Sequence, residues 1–225
     1  MKKALFAGTI LSAMAISFAA NAQFSPPWSL NDQPVGKAAN TFLLRARAIG
    51  VIPLNSSSSV STIGGTVSAT AQAAPEVDLS YFLTDNIAFE LIAASTRHNV
   101  SVRNSILGNV DVGSVWVLPP TVTVQYHFFP HERFSPYLGI GMNVSWFYST
   151  QPANPPVTHW SMGNSVGAAI QAGFDYNFTG HWFANFDVKQ IFLHSNASVD
   201  ALGTTVKAQT WLNPLVIGAG IGYRF

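Results

Sequence analysis

The sequence predicts an all-β chain, an eight-stranded antiparallel transmembrane β-barrel, and three observations carry that prediction. The first is composition: 48% of the 225 residues are hydrophobic and only 9% are charged, against about 25% charged in an ordinary soluble domain. So much apolar surface calls for a surrounding other than water. The second is that, beyond the N-terminal stretch, Gly, Ser, Asn or a charge interrupts every apolar run before it reaches the ~20 residues of a spanning helix. Where unpaired backbone groups meet hydrocarbon, the other spanning solution is a closed barrel. The third is a set of eight period-two segments whose connections alternate between short and long.

The chain opens with Lys2 and Lys3, an apolar stretch from Leu5 to Ala20, and small residues at Ala20, Asn21 and Ala22 followed by Pro26 and Pro27. This is the pattern of a cleaved export signal, so residues 1–22 are expected to be a signal peptide and residues 23–225 the barrel. Gln23 to Asn40 forms a leader that either runs through the periplasm or sits in the barrel mouth. Lys2 and Lys3 are two of the eleven Lys and Arg, so removal leaves nine against ten Asp and Glu, a formal charge of −1. That balance gives no electrostatic case for nucleic acid. With no cysteine, neither a disulfide framework nor a thiolate metal site can form.

Each strand follows from alternation of apolar and polar or small residues, which places one set towards lipid and the other towards the lumen. The first, Thr41 to Ile52, sets Phe42, Leu44, Ala46 and Ala48 against Arg45 and Arg47. The second, Glu76 to Leu83, sets Val77, Leu79 and Tyr81 against Glu76, Asp78 and Ser80. A tight turn at Thr84, Asp85 and Asn86 leads into the third, Ile87 to Thr96, with Phe89, Leu91 and Ala93 outward and Glu90, Ile92 and Ala94 inward. The fourth, Thr121 to Phe128, alternates Val122, Val124, Tyr126 and Phe128 with Thr121, Thr123, Gln125 and His127. After a turn over Pro130 to Pro136, the fifth alternates Leu138, Ile140, Met142, Val144 and Trp146 with Gly139, Gly141, Asn143 and Ser145. The sixth, Asn164 to Phe178, sets Val166, Ala168, Ile170, Ala172, Phe174 and Tyr176 against Ser165, Gly167, Ala169, Gln171, Gly173 and Asp175, and turns at Thr179 and Gly180 into the seventh, where Trp182, Ala184, Phe186 and Val188 oppose Asn185, Asp187 and Lys189. The eighth, Leu215 to Phe225, sets Leu215, Ile217, Ala219, Ile221, Tyr223 and Phe225 against Gly218, Gly220, Gly222 and Arg224.

Connections after the second, fourth and sixth segments are short, and those after the first, third, fifth and seventh are long. In outer-membrane barrels the short turns are periplasmic and the long loops external. Tyr81, Phe89, Tyr126, Phe128, Tyr176, Phe178, Trp182, Tyr223 and Phe225 then fall near the periplasmic ends, and Trp146, Tyr148 and Phe192 near the outer ends. Two such girdles are what amphipathic rings at two headgroup levels produce. The predicted location is the bacterial outer membrane.

The set formed by Thr84-Asp85-Asn86-Ile87 with Glu90-Leu91-Ile92-Ala93-Ala94, Leu118-Pro119-Pro120-Thr121, Pro136-Tyr137 with Gly139 and Gly141, and the terminal Gly222-Tyr223-Arg224-Phe225 resembles the outer membrane protein W family. The resemblance covers essentially the whole mature chain. It implies a narrow, largely apolar interior that passes small hydrophobic molecules, and an aromatic C-terminus handled by the outer-membrane assembly machinery. Lipids of the outer membrane, small hydrophobic solutes and that machinery are therefore the expected partners, with no cofactor and no enzymatic activity.

The residues themselves give a mixed lumen. Ile92, Ala94, Ala169 and Val216 are apolar, but Arg45, Arg47, Glu76, Asp78, Glu90, Asp187 and Lys189 also point inward. Eight strands leave an interior about wide enough for side chains to fill, so an open aqueous pore is not expected. Since the first three segments are neighbours in an up-and-down barrel, Arg45 and Arg47 should meet Glu76 and Asp78, with Glu90 one strand further within reach, in a pairing network that fills the lower barrel. Lys189 stands where the resemblance leads one to expect a bulkier apolar residue.

Other signals are weaker. Gly218, Gly220 and Gly222 mimic a dinucleotide fingerprint but precede no helix. The six histidines are scattered without ligand spacing, and Ser95 and His98 have no carboxylate placed to complete a triad. The long connections carry apolar matter at Val100, Val102, Ile106, Leu107, Val115, Trp116, Leu202 and Trp211, which favours a loop-built vestibule over the lumen. Pro53 to Ala74 reads either as a flexible tip or as strand extension. Pro119, Pro120 and Pro214 lack ladder donors and could open a lateral gap. The rival reading is a structural or adhesive surface barrel acting through its long loops.

Overall fold

The structure, a computed structural model, describes residues 36–54, 57–153, 157–201 and 203–225. The expected signal peptide, its cleavage site, the leader up to residue 35 and Leu202 lie outside the described residues. Fifteen strands follow one another in those segments: β1 (Phe42–Ile52), β2 (Ser57–Val60), β3 (Thr66–Ala69), β4 (Gln72–Phe82), β5 (Ile87–Ala94), β6 (Thr96–Ser105), β7 (Gly108–Leu118), β8 (Thr121–His127), β9 (Phe134–Pro152), β10 (Val157–Met162), β11 (Ser165–Thr179), β12 (Trp182–Phe192), β13 (His194–Ala201), β14 (Thr204–Trp211) and β15 (Leu215–Arg224).

Eight of these close a ring. β1 pairs with β4, then the order runs β5, β8, β9, β11, β12 and β15, and β15 returns to β1 through pairs such as Arg45↔Gly222. All the pairings are antiparallel. Closure leaves no unpaired edge for lipid to face, which is the condition for a sheet to cross a bilayer. The lipid face carries Leu138, Ile140, Met142, Val166 and Ile221, all exposed, while β8 shows strict alternation with Thr121, Thr123, Gln125 and His127 buried inside. The inward and outward assignments of all eight predicted strands hold.

The long connections are not loops but strand extensions. β6 and β7 form a hairpin that carries β3 on one side and joins the upper half of β9 on the other. β10, β13, β14 and β2 form a second, four-stranded sheet. The two walls meet through Val60, Val67, Val102, Val157 and Trp160, an apolar cluster that caps the molecule. The described residues of Pro53 to Ala74 thus form strand extension, with β2, β3 and the start of β4 among them.

Three expectations need correction. The turn placed over Pro130 to Pro136 ends sooner, because β9 begins at Phe134 and Tyr176↔Phe134 already belongs to the ladder. Ile106, Leu107, Trp116 and Trp211, read as vestibule interior, are exposed, Ile106 at 80%; they occupy a turn or the outward face of a strand. Tyr223, opposite outward Leu44, is nevertheless buried, because the His181, Trp182 and Phe225 rings pack around it.

Candidate functional site: a sealed lumen beneath an apolar vestibule

Register brings the predicted charges together. Arg45 lies opposite Asp78 and Arg47 opposite Glu76 across β1 and β4, and Ser80 opposite Glu90 across β4 and β5. Arg45 Nη1 donates to Asp78 Oδ1 at 2.7 Å and to Ser80 Oγ at 2.8 Å. Arg47 Nε meets Glu76 Oε1 at 2.7 Å, and its Nη2 meets Asp78 Oδ2 at 2.9 Å and Glu90 Oε1 at 3.1 Å. The side chains of Arg45, Asp78 and Glu90 have no exposure at all. Charges so far from water need several partners each, and here each has them.

Alternation showed Asp175, Asn185 and Gln171 as inward residues, but sequence reasoning did not place them in the network. Asp175 accepts from Arg45 Nη2 at 3.2 Å and from Asn185 Nδ2 at 2.7 Å. Gln171 Nε2 bridges Glu90 Oε2 at 2.9 Å and Asp187 Oδ2 at 2.7 Å. Tyr137 donates to Asp187 Oδ2 at 2.9 Å, and the Arg45 guanidinium lies 5.7 Å from the centroids of both Tyr137 and Phe183, within cation–π range. Gly173 and Gly222 make room for this: a Cβ on the first would strike the Tyr137 ring and on the second the Phe183 ring.

The end of the leader closes the periplasmic mouth. Lys37 N donates to Pro130 O at 2.7 Å and Ala39 N to Asp85 Oδ1 at 2.9 Å, stitching the segment to two turns. The Lys37 ammonium then reaches Asp175 Oδ2 and Ser135 Oγ at 2.8 Å and His127 Nδ1 at 2.7 Å. Burial pushes its pKa down to about 8, partly offset by Asp175. Of the two leader arrangements left open by the sequence, residues 36–40 take the barrel mouth. Nothing in the local pattern around Lys37 announced a lumen role.

Above the network the character changes. A narrow, largely apolar cavity is walled by Ile49, Ile92, Val115, Ile191, Leu193 and Val216 among others, and only a few polar groups break its surface. Glu76 and Lys189 lie at its floor, level with Arg47 and Val216. His98 stands higher, with Nδ1 2.7 Å from Thr70 O and Nε2 2.9 Å from Thr96 Oγ1, and its burial lowers its pKa. Ser95 is not its partner: Ser95 Oγ lies 2.8 Å from Tyr148 Oη. Thus Ile92 and Lys189 line the vestibule, and Arg45, Arg47, Asp78, Glu90 and Asp187 the plug, with Glu76 belonging to both.

The proline sites differ. Ile92 pairs with Thr121 and Thr96 with Val117 in the same register, yet the ladder breaks between them, opposite Pro119 and Pro120. The carbonyls of both prolines are turned to Asn143 Nδ2 on β9, at 3.1 and 3.4 Å. At Pro214 the wall is bridged instead: Ile191 N donates to Pro214 O at 3.1 Å and Gln190 Nε2 to Asn213 O at 2.8 Å.

A closed eight-stranded barrel with a lipid-facing apolar band, aromatic residues at both ends and long extensions on one side is an outer-membrane barrel. Comparison with known proteins agrees. A model of the OmpW family matches residues 38–225, and the chain belongs to that family. It is 31% identical to outer membrane protein W of Vibrio cholerae over 191 residues, 82% of this chain and 88% of the relative. It is 41% identical to an uncharacterized outer-membrane protein, y4mB, of Sinorhizobium fredii over 203 residues, 89% and 87% of the two chains. Among solved structures, OprG of Pseudomonas aeruginosa superposes with a TM-score of 0.77 at 27% identity, covering 84% of this chain and 98% of that one. The E. coli outer membrane protein W gives 0.58 at 29% identity, covering 84% and 99%. The chain is an outer-membrane protein.

Proposed function

We propose that this barrel admits small hydrophobic molecules into the vestibule and releases them sideways into the membrane, without covalent chemistry. The observation that carries this is the largely apolar cavity ending on an ion-paired floor. Burial of apolar solute surface supplies the driving force, at roughly 25 cal/mol per Å². An ion-paired plug opposes onward passage through the lumen, so the break beside Pro119 and Pro120 is the exit. Outer-membrane lipids and the assembly machinery that reads the terminal Phe225 are the partners this function requires.

The test is uptake of a small alkane or aromatic by liposomes holding the refolded chain, against empty vesicles. Ala94 lines the cavity, and Ala94→Phe should fill it and cut uptake severalfold while leaving the barrel folded. Uptake equal to that of empty vesicles contradicts the proposal. A second reading, a surface barrel acting through its loops, is favoured by Ile106 and Leu107, which stand 80% and 58% exposed in the turn between β6 and β7.

A further inference from the structure

One group in the vestibule is not accounted for by a purely apolar solute. Lys189 is 2% exposed and stands at the cavity floor. An ammonium carries three donors, yet among the described residues its ion-pair partner is Asp187 Oδ1 alone, at a long 3.5 Å. Asp187 itself is better served by Gln171 Nε2 at 2.7 Å and the Tyr137 hydroxyl at 2.9 Å. Glu76, the other charge on the cavity wall, is held by Arg47 Nε at 2.7 Å. Glu90 attracts Lys189 electrostatically, but its hydrogen bonds go to Thr123 Oγ1 and Gln171 Nε2, both at 2.9 Å, and its ion pair to Arg47 at 3.1 Å. The two ring nitrogens of His98 are occupied by Thr70 and Thr96. Among the described residues Lys189 thus has acidic neighbours but no ion pair shorter than 3.5 Å, and it is set beneath apolar walls with donors to spare.

Resting on the vestibule function proposed above, we propose that the preferred solute is an amphipathic monocarboxylate, its carboxylate on the Lys189 ammonium and its apolar body in the cavity. A buried charge gains most from a partner of opposite sign that also accepts hydrogen bonds. One ammonium, with the carboxylates of Glu76, Glu90 and Asp187 close by, suits one negative charge and disfavours a doubly charged head group such as phosphate. The apolar walls set no requirement on the body beyond fit.

The test uses the full chain refolded in nanodiscs, with empty nanodiscs as control, and a matched pair of probes, phenylvalerate and phenylpentanol, near neutral pH where the acid is ionised. Wild type should bind the carboxylate about tenfold or more tighter than the alcohol, the scale of one charge-assisted hydrogen bond. Lys189→Met should abolish that preference and leave alcohol binding unchanged or tighter, whereas Lys189→Arg should keep it. If Lys189→Met does not fold, the wild-type comparison and the Arg variant still decide. Equal or tighter binding of the alcohol by wild type, or a preference that survives Lys189→Met, overturns the carboxylate assignment and leaves the hydrophobic-solute function standing. Binding of neither probe overturns both.

Discussion

At the residue scale, Arg45 joins the two halves of the plug. It reaches Asp78 and Ser80 on β4, Glu90 on β5 and Asp175 on β11. Arg45→Met leaves these acceptors buried and short of a donor, a change worth about 3–5 kcal/mol when one partner of a buried pair is removed; a fall of that size in unfolding free energy, followed by tryptophan fluorescence in urea and detergent, is expected. Lys37 gives a pH prediction. Its pKa is about 8 in the folded chain against an ordinary 10.5, so the unfolded chain holds the proton more tightly. Stability should rise as pH climbs from about 8 to 10.5, and the same urea midpoints should lose that rise in Lys37→Met. Part of this site was legible beforehand. Arg45, Arg47, Glu76, Asp78 and Glu90 sit on strands consecutive around the barrel, so alternation and adjacency sufficed to bring them together. Asp175 and Lys37 were not placed with them, because contact across the lumen depends on strand stagger and on the path of the leader, which period-two patterning does not encode.

At the element scale, the eight spanning strands were readable because lipid on one face and packed lumen on the other impose alternation. Their upward extensions were not. β13, for example, shows no regular alternation in burial, since neither face of that wall meets hydrocarbon. The proline sites illustrate the same limit: a missing ladder donor was visible at both, but only the structure separates the bridged wall at Pro214 from the interrupted one beside Pro119. Pro119→Val returns a donor to that break. Slower release of solute and a newly protected amide at position 119 in hydrogen exchange are expected; release at the wild-type rate, with the amide protected, would remove this seam as the exit.

At the scale of the whole molecule, three layers stack along the barrel axis: the leader end and ionic plug below, the apolar vestibule in the middle, and the two strand walls meeting through Val60, Val67, Val102, Val157 and Trp160 above. Polar and apolar matter are thus segregated along one axis, and each layer has a separate consequence. Under the proposed function the ion-paired plug would exclude ions, the largely apolar vestibule would hold solute, and the walls would determine access from outside. The measurement that tests this arrangement most directly is solute uptake and ion conductance on a single refolded preparation, in liposomes and planar bilayers. Solute-dependent uptake without steady ion current above the lipid baseline is the predicted result; a steady ion current through the wild-type chain, or no uptake of any small apolar solute, would contradict it.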